Sequence, residues 1–164
     1  MASFFSSLFG RSEQTGGSGA ETSVFPVDSF SILQGETEGK SVMGSVNKGY
    51  KDYHRKAEFP WCLHIGIALA ADNLQSSGLP KDDEIEMAYK QEDELVNKIK
   101  NIETAHYIGH LFNEGFLDVY IYLPDPKKVH DYLQSQVNKK GILRGFGYEI
   151  NKDPDWDSVE TFLQ

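Results

Sequence analysis

Glu92 is the residue of this sequence whose position most strongly suggests a functional carboxylate. It falls in a long helix predicted from Lys81 to Asn101, and at about 100° per residue it projects into the middle of the apolar face. The residues of that face are Ile85, Ala88, Tyr89, Leu95, Val96 and Ile99. An ionised carboxylate pressed into a core is costly unless it is paired or hydrogen-bonded. Glu92 is therefore either structural, satisfied by a loop N–H group, a tyrosine, Arg144 or water at a rim, or a general acid/base in a pocket.

The five histidines are the other side chains that could move a proton or bind a metal. They are His54, His64, His106, His110 and His130. His106 and His110 are four residues apart, which on a helix would favour a shared metal ion. Their segment is predicted to be a strand, where four residues span roughly 13 Å, so we expect no joint metal site. His64 and Asp118 fall on the non-core faces of two neighbouring predicted strands and could pair, although strand histidines are commonly structural.

Aromatic residues alternate with Asp118 along the non-core face of one predicted strand. They are Phe116, Tyr120 and Tyr122. Aromatic rings on an open sheet stack bases in RNA-recognition motifs, but this strand lacks the lysine or arginine that phosphates require. We therefore expect the N-terminal hairpin, the last helix or a second subunit to cover this face. With His64, these residues form our candidate contact surface.

Cys62 and the pair Gly145 and Gly147 carry weaker signals. Cys62 has no Cys-X-X-Cys partner and no helix N-terminus beside it, so we interpret it as a packing residue. The two glycines lie inside a predicted strand, whereas a phosphate-binding loop joins a strand to a helix. Close packing or a bulge is the better interpretation. The sequence predicts no cofactor and no metal.

Composition narrows the classes of partner. The 164 residues carry a formal net charge of −9, and the pI is about 5.0. Because cations supply most nucleic-acid affinity, we predict no nucleic-acid binding and expect steering toward basic partners. A single cysteine excludes an intramolecular disulfide and fits a reducing compartment. No apolar run approaches the ~20 residues that span a bilayer, and no secretory signal is visible, so we predict a cytoplasmic protein.

The N-terminus differs from the rest of the chain. Phe4, Phe5, Leu8 and Phe9 recur at helical spacing, and residues 11–23 are rich in Ser, Gly, Thr and Glu. We predict an apolar turn plus linker over residues 1–23 and one domain over residues 24–164. So short a turn predicts weak membrane contact at most, through residues 1–10, or docking on a protein.

The predicted elements form an α+β domain. Predicted strands are Ser29–Glu36, Lys40–Asn47, Cys62–Leu69, Ala105–Asn113, Phe116–Leu123 and Gly145–Asn151. A second helix starts at Asp125, with that residue as N-cap, and a short final helix starts at Asp153. From Cys62 onward the order is βαββαβ, the split βαβ arrangement of ferredoxin-like folds. We expect Cys62–Leu69 and Phe116–Leu123 to be central parallel neighbours, both longer helices to cover one face, and the N-terminal hairpin to extend the sheet or cover the other face.

Several short motifs resemble the bacterial domain-of-unknown-function family 695. They are Gly78-Leu79-Pro80, Gln91-Glu92-Asp93-Glu94-Leu95, Arg144-Gly145-Phe146-Gly147-Tyr148-Glu149-Ile150 and Asp153-Pro154-Asp155-Trp156. The resemblance covers Ser29 to Leu163 and points to Glu92, Asp93 and Trp156 without giving them a role. It implies no activity. The family resembles, distantly and in predicted fold, the regulator of ribonuclease activity B, a small acidic ferredoxin-like protein that binds an enzyme. Domains resembling that regulator are sometimes fused to the family, which by analogy implies a protein-binding regulatory role.

Three functional hypotheses follow from the sequence. The first is a non-enzymatic protein that binds and regulates a partner, for instance an immunity protein against a basic toxin. The second is a small-ligand binder or enzyme that uses Glu92 with a nearby histidine or tyrosine. The third is a scaffold held at a membrane surface by its N-terminal tail. A homo-oligomer is compatible with all three.

Overall fold

The structure is a computed structural model that describes residues 23–164. Its strands are β1 (Phe30–Thr37), β2 (Lys40–Asn47), β3 (Trp61–Ala68), β4 (His106–Asn113), β5 (Phe116–Leu123) and β6 (Phe146–Lys152). Its helices are α1 (Asp82–Ile102), α2 (Lys127–Val137) and the short α3 (Glu160–Leu163). The α+β class is therefore confirmed. The predicted apolar turn and nearly all of the predicted linker lie outside the described residues.

Glu-Gly pairs make both hairpin turns. Glu38 and Gly39 have φ values of 51° and 76°, and Glu114 and Gly115 have values of 46° and 83°. Two-residue turns with positive φ at both positions match the twist of the flanking strands, and glycine adopts this conformation without strain. The turns join β1 to β2 and β4 to β5.

The six strands form one antiparallel sheet in the order β1-β2-β4-β5-β3-β6. The prediction that β3 and β5 run parallel is wrong: they are neighbours, but Trp61 lies opposite Leu123 and Ala68 opposite Phe116. The direction of β5 follows from the two connections that precede it. Helix α1 returns the chain so that β4 runs parallel to β3, and the tight β4–β5 hairpin then reverses it. The N-terminal hairpin extends the sheet, since β2 pairs with β4.

Helices α1 and α2 cover one face of this sheet and bury the main core between them. Alternating apolar residues of β3 and β5 meet the apolar face of α1 there. The fully buried members include Leu63, Ile65, Ile67, Leu117, Val119, Ile121, Ile99 and Leu133. At the start of α2, the Asp125 carboxylate accepts the Lys127 N–H at 2.8 Å, as an N-cap would.

A second core lies on the opposite face. Trp156 is fully buried there and stacks on Tyr122 with ring centroids 4.1 Å apart. The Asp153 carboxylate accepts the N–H groups of Asp157 and Ser158 and the Tyr122 hydroxyl, which fixes the C-terminal segment over the sheet. Cys62 is buried in this layer as a free thiol. Within residues 23–164, no helix is both long enough and apolar enough to cross a membrane.

Candidate functional site

Glu92, Tyr107 and His110 form a hydrogen-bonded cluster between α1 and β4. Glu92 is 5% exposed, and its Oε1 accepts the Tyr107 hydroxyl at 2.6 Å. The Nδ1 atom of His110 lies 3.0 Å from the same Oε1 and 2.9 Å from the Tyr107 oxygen. The buried carboxylate is thus satisfied by a tyrosine, one of the predicted partners, and by a histidine.

The cluster fixes where its protons lie. A carboxylate only accepts hydrogen bonds, and the single Tyr107 hydroxyl proton is already directed at Glu92. His110 Nδ1 must therefore carry hydrogen to approach these two oxygens, which leaves Nε2 as the ring nitrogen that is not bonded within the cluster. Burial, and then the neighbouring Glu92 charge, raise the pKa of Tyr107 well above its ordinary value. Tyr107 therefore stays a hydroxyl donor to Glu92, and His110 donates to the cluster through Nδ1.

A β-bulge brings Tyr107 and His110 to the same face. They are three residues apart, so a regular strand would place them on opposite faces. The β4–β5 register shifts between Tyr107 and Gly109, which restores both side chains to the α1 side. A Cβ on Gly109 would lie 2.2 Å from the Ser45 carbonyl oxygen, so only glycine lets β2 approach the bulge this closely.

The cluster lines a cavity of about 380 Å³ beside α1. Its floor is the α1-side face of β1, β2 and β4, beyond the part of the sheet that the helices cover. The lining residues are Phe30, Ser31, Ile32, Ser45, Tyr89, Glu92, Asp93, Val96, Asn97, Lys100, Tyr107 and His110. This volume lies within the range of ligand cavities, roughly 300–1,000 Å³. The cavity therefore combines mainly apolar walls with one convergent polar cluster.

Burial and the Glu92 charge together raise the pKa values of two titratable groups beside the cluster. Burial, and then Glu92, raise the pKa of Tyr89 to about 12. The pKa of Asp93 is also raised, first by burial and then by Glu92, while His110 and Lys100 oppose the shift. Lys100 lies with Nζ 5.6 Å from the Tyr107 ring centroid and also borders an adjoining groove of about 670 Å³.

The predicted contact surface is only partly open. His64 Nε2 lies 2.8 Å from Asp118 Oδ1, and this hydrogen bond is the main cause that raises the pKa of His64. Phe116 beside them is 46% exposed. Tyr122, in contrast, is fully buried under the C-terminal segment, and Tyr120 packs against Phe162. Of the five proposed contact residues, Tyr122 alone is buried, Phe116 is exposed, and the other three, His64, Asp118 and Tyr120, are partly exposed.

The remaining sequence candidates are separated. His106 lies on the other face from His110, among aromatic rings, with Nδ1 3.0 Å from the Tyr50 hydroxyl. Arg144 does not reach Glu92 but forms a two-point pair with Glu84 at 2.6 and 2.7 Å. Glu84 was not among the sequence candidates, and it is fully buried. Among residues 23–164, no three His, Cys, Asp or Glu side chains lie close enough together to hold a metal ion.

A family model matches residues 29–164, and its description is Family of unknown function (DUF695). The chain belongs to DUF695. Neither the search of curated proteins nor the search of solved structures found a match. Membership of DUF695 assigns no activity, so the function has to be argued from the cavity and the exposed surface.

Proposed function

We propose that this DUF695 protein binds a small, mainly apolar molecule in the cavity beside α1 and recognises its polar end with Glu92, Tyr107 and His110. The observation that carries this proposal is a hydrogen-bonded Glu–Tyr–His cluster lining a cavity of about 380 Å³. Apolar walls with a few convergent polar groups are the usual form of a small-molecule site.

The cluster also has the parts of an acid–base relay. Glu92 orients His110 through Nδ1, as the carboxylate of a catalytic dyad does, and Nε2 is the nitrogen that acts as a base when the ring is neutral. The candidate nucleophiles among the lining residues are Ser31, Ser45 and Lys100, and within residues 23–164 none of them is hydrogen-bonded to His110. We therefore propose binding as the function and proton transfer at a bound molecule as the chemistry that this site favours.

A fragment screen by amide NMR tests the binding proposal. We expect fragments to shift the amide signals of Tyr89, Val96, Tyr107 and His110. Ile32→Trp should block the cavity from its rim, because Ile32 is 68% exposed and lines it. Val27→Trp is the matched control, since Val27 is 89% exposed and is not a lining residue. The proposal is wrong if fragments shift no cavity amide, or if both tryptophan variants bind them as the wild type does.

The exposed part of the non-helical sheet face supports a second candidate function, binding of a basic protein. Phe116 is 46% exposed next to the Asp118 carboxylate, and the net charge of the chain is −9. An apolar ring beside a carboxylate suits a partner that presents a lysine or arginine. Binding should weaken as salt rises and should fall when Phe116→Ser is introduced. Retention of binding at high salt would count against the electrostatic part.

The arrangement of the strands and helices supports a regulatory role for such protein binding. We propose the ferredoxin-like arrangement because each crossover helix joins two strands with a third strand between them, as in a split βαβ unit. By analogy, kinship with the regulator of ribonuclease activity B then favours a protein-binding role. We also propose a cytoplasmic location, which the free buried thiol of Cys62 supports.

A further inference from the structure

We propose that the ligand of the α1 cavity is an organic cation: a small primary amine with an aryl or alkyl body. This inference rests on the proposed function and names the substrate class of the same site. Three features of the cavity support this inference. They are the unused hydrogen-bonding atoms of its polar cluster, its aromatic walls and the distribution of charge along α1.

Two atoms of the polar cluster are available to a ligand. The Tyr107 oxygen is used twice, because it donates to Glu92 and accepts from His110. Among the described residues, Glu92 Oε2 and His110 Nε2 make no hydrogen bond, and neither is a buried unsatisfied atom. Glu92 Oε2 is an acceptor, and His110 Nε2 accepts a hydrogen bond in the tautomer that carries its hydrogen on Nδ1. A ligand group that satisfies them must supply hydrogen, and an ammonium supplies three donors.

The walls suit a cation with an apolar body. The rings of Tyr89, Tyr107 and Phe30 line the cavity together with Val96. Aromatic faces attract an ammonium through their quadrupoles, and the aliphatic wall accommodates a hydrocarbon chain or ring. A carboxylate ligand beside the cluster would instead meet the buried Glu92 charge.

Charge along α1 gives the ligand a direction. Glu92 and Asp93 lie together on α1, and the Lys100 backbone lies two helical turns further on, with its Nζ 5.6 Å from the Tyr107 ring centroid. Burial, and then the neighbouring Glu92 charge, raise the pKa of Asp93. A bound ammonium beside Glu92 would compensate both carboxylates.

Three isosteric probes test the assignment on the full chain: 2-phenylethylamine, 2-phenylethanol and phenylacetate. We measure their dissociation constants by NMR titration at pH 7. The amine should bind about tenfold or more tightly than the alcohol, since charge-assisted hydrogen bonds are roughly twice as strong as neutral ones. Glu92→Gln should remove this preference, and Glu94→Gln, an exposed neighbour on the same helix, should leave it unchanged. Asp93→Asn is a second variant, at a half-buried rim position where folding is less at risk.

The outcomes separate the two proposals. If the alcohol or phenylacetate binds as tightly as the amine, the cation assignment is wrong while the cavity stands as a binding site. The assignment is equally wrong if Glu92→Gln and Asp93→Asn both keep the wild-type ratio, because the preference would then reflect the net charge of the protein. If none of the probes and no screening fragment shifts a cavity amide, the proposed function fails and the assignment fails with it.

Discussion

The Tyr107 hydroxyl lies 2.6 Å from Glu92 Oε1 and ties strand β4 to helix α1 through a single short hydrogen bond. This contact explains how a carboxylate can sit in the middle of an apolar helix face. Burial of a charge is tolerated when donors replace the lost water, and here a phenol and an imidazole of one strand replace it together. The same contact holds the side chains that line the cavity in fixed positions.

Removal of the Glu92 carboxylate should therefore destabilise the fold. Glu92→Ala leaves the Tyr107 hydroxyl and the His110 N–H without their acceptor, and it also opens space beside α1. We expect a loss of about 1–3 kcal/mol in the free energy of unfolding, measured by urea denaturation. Glu94→Ala, at an exposed position of the same helix, should change it by less than about 0.5 kcal/mol. Equal effects of the two substitutions would mean that the cluster adds nothing to stability.

The bulge at Gly109 should be as sensitive as the cluster it positions. In Gly109→Ala the new Cβ would lie 2.2 Å from the Ser45 carbonyl oxygen, so β2 or β4 must shift. We expect a loss of about 1–3 kcal/mol by urea denaturation, with changed NMR signals for Tyr107 and His110. Gly147→Ala is the matched control, because nothing lies within 4 Å of a Cβ there. A Gly109→Ala protein as stable as Gly147→Ala would contradict the close approach of β2.

Periodicity was enough to predict most of the fold. Alternation in Phe116–Leu123 and the Glu-Gly turns depend only on local rules, and both appear in the structure. Strand direction between β3 and β5 was predicted wrongly, because it depends on how a helix crossover and a hairpin combine. Apolar and polar side chains alternate in both parallel and antiparallel strands, so alternation does not predict the relative direction of two neighbouring strands.

For the site, the sequence predicted a buried Glu92 and offered a tyrosine or a histidine as its partner, but it did not predict which ones. The obstacle was the bulge, since period-2 counting assigns Tyr107 and His110 to opposite faces. Gly109 was the available signal, because an isolated glycine in a strand often marks a bulge. The pairing of Arg144 with Glu84 was missed for another reason: the two residues are 60 positions apart, and only the tertiary structure brings them together.

Trp156 should be the main anchor of the C-terminal segment. It is fully buried, stacks on Tyr122, and donates its indole N–H to the carbonyl of Phe59 at 3.0 Å. We expect Trp156→Ala to cost about 3–5 kcal/mol by urea denaturation, and Trp156→Phe to cost less because the ring contact is partly kept. Trp61→Phe, at a partly exposed position, is the control. A small effect of Trp156→Ala would mean that this segment is not required for the fold.

The Glu84–Arg144 pair should make stability fall in acid. The Arg144 hydrogen bonds are the main cause that lowers the pKa of Glu84 from 4.5 to about 2. Between these pH values the unfolded chain binds more protons than the folded chain. The contribution of the pair to the free energy of unfolding is therefore complete above pH 4.5 and is lost as the pH falls toward 2. The loss should be about 3 kcal/mol by urea denaturation. Glu84→Gln should flatten this pH dependence, whereas Glu86→Gln, at an exposed position, should keep it. Equal slopes in the wild type and both variants would show that the Glu84–Arg144 pair does not cause the acid sensitivity.

His106 should produce a second, separate pH dependence at higher pH. Burial, and then the positive charge of Arg55, lower the pKa of His106 from 6.5 to about 4, and its buried Nε2 has no hydrogen-bond partner among the described residues. Because the unfolded chain takes up the proton first, stability is complete above pH 6.5 and falls as the pH drops from 6.5 toward 4. We expect a loss of about 2–3 kcal/mol between pH 7 and 4.5 by urea denaturation. His106→Phe should remove this slope whereas His130→Phe, at an exposed position, should keep it. An NMR titration midpoint of His106 near 6.5 would show that the ring is not held neutral by burial.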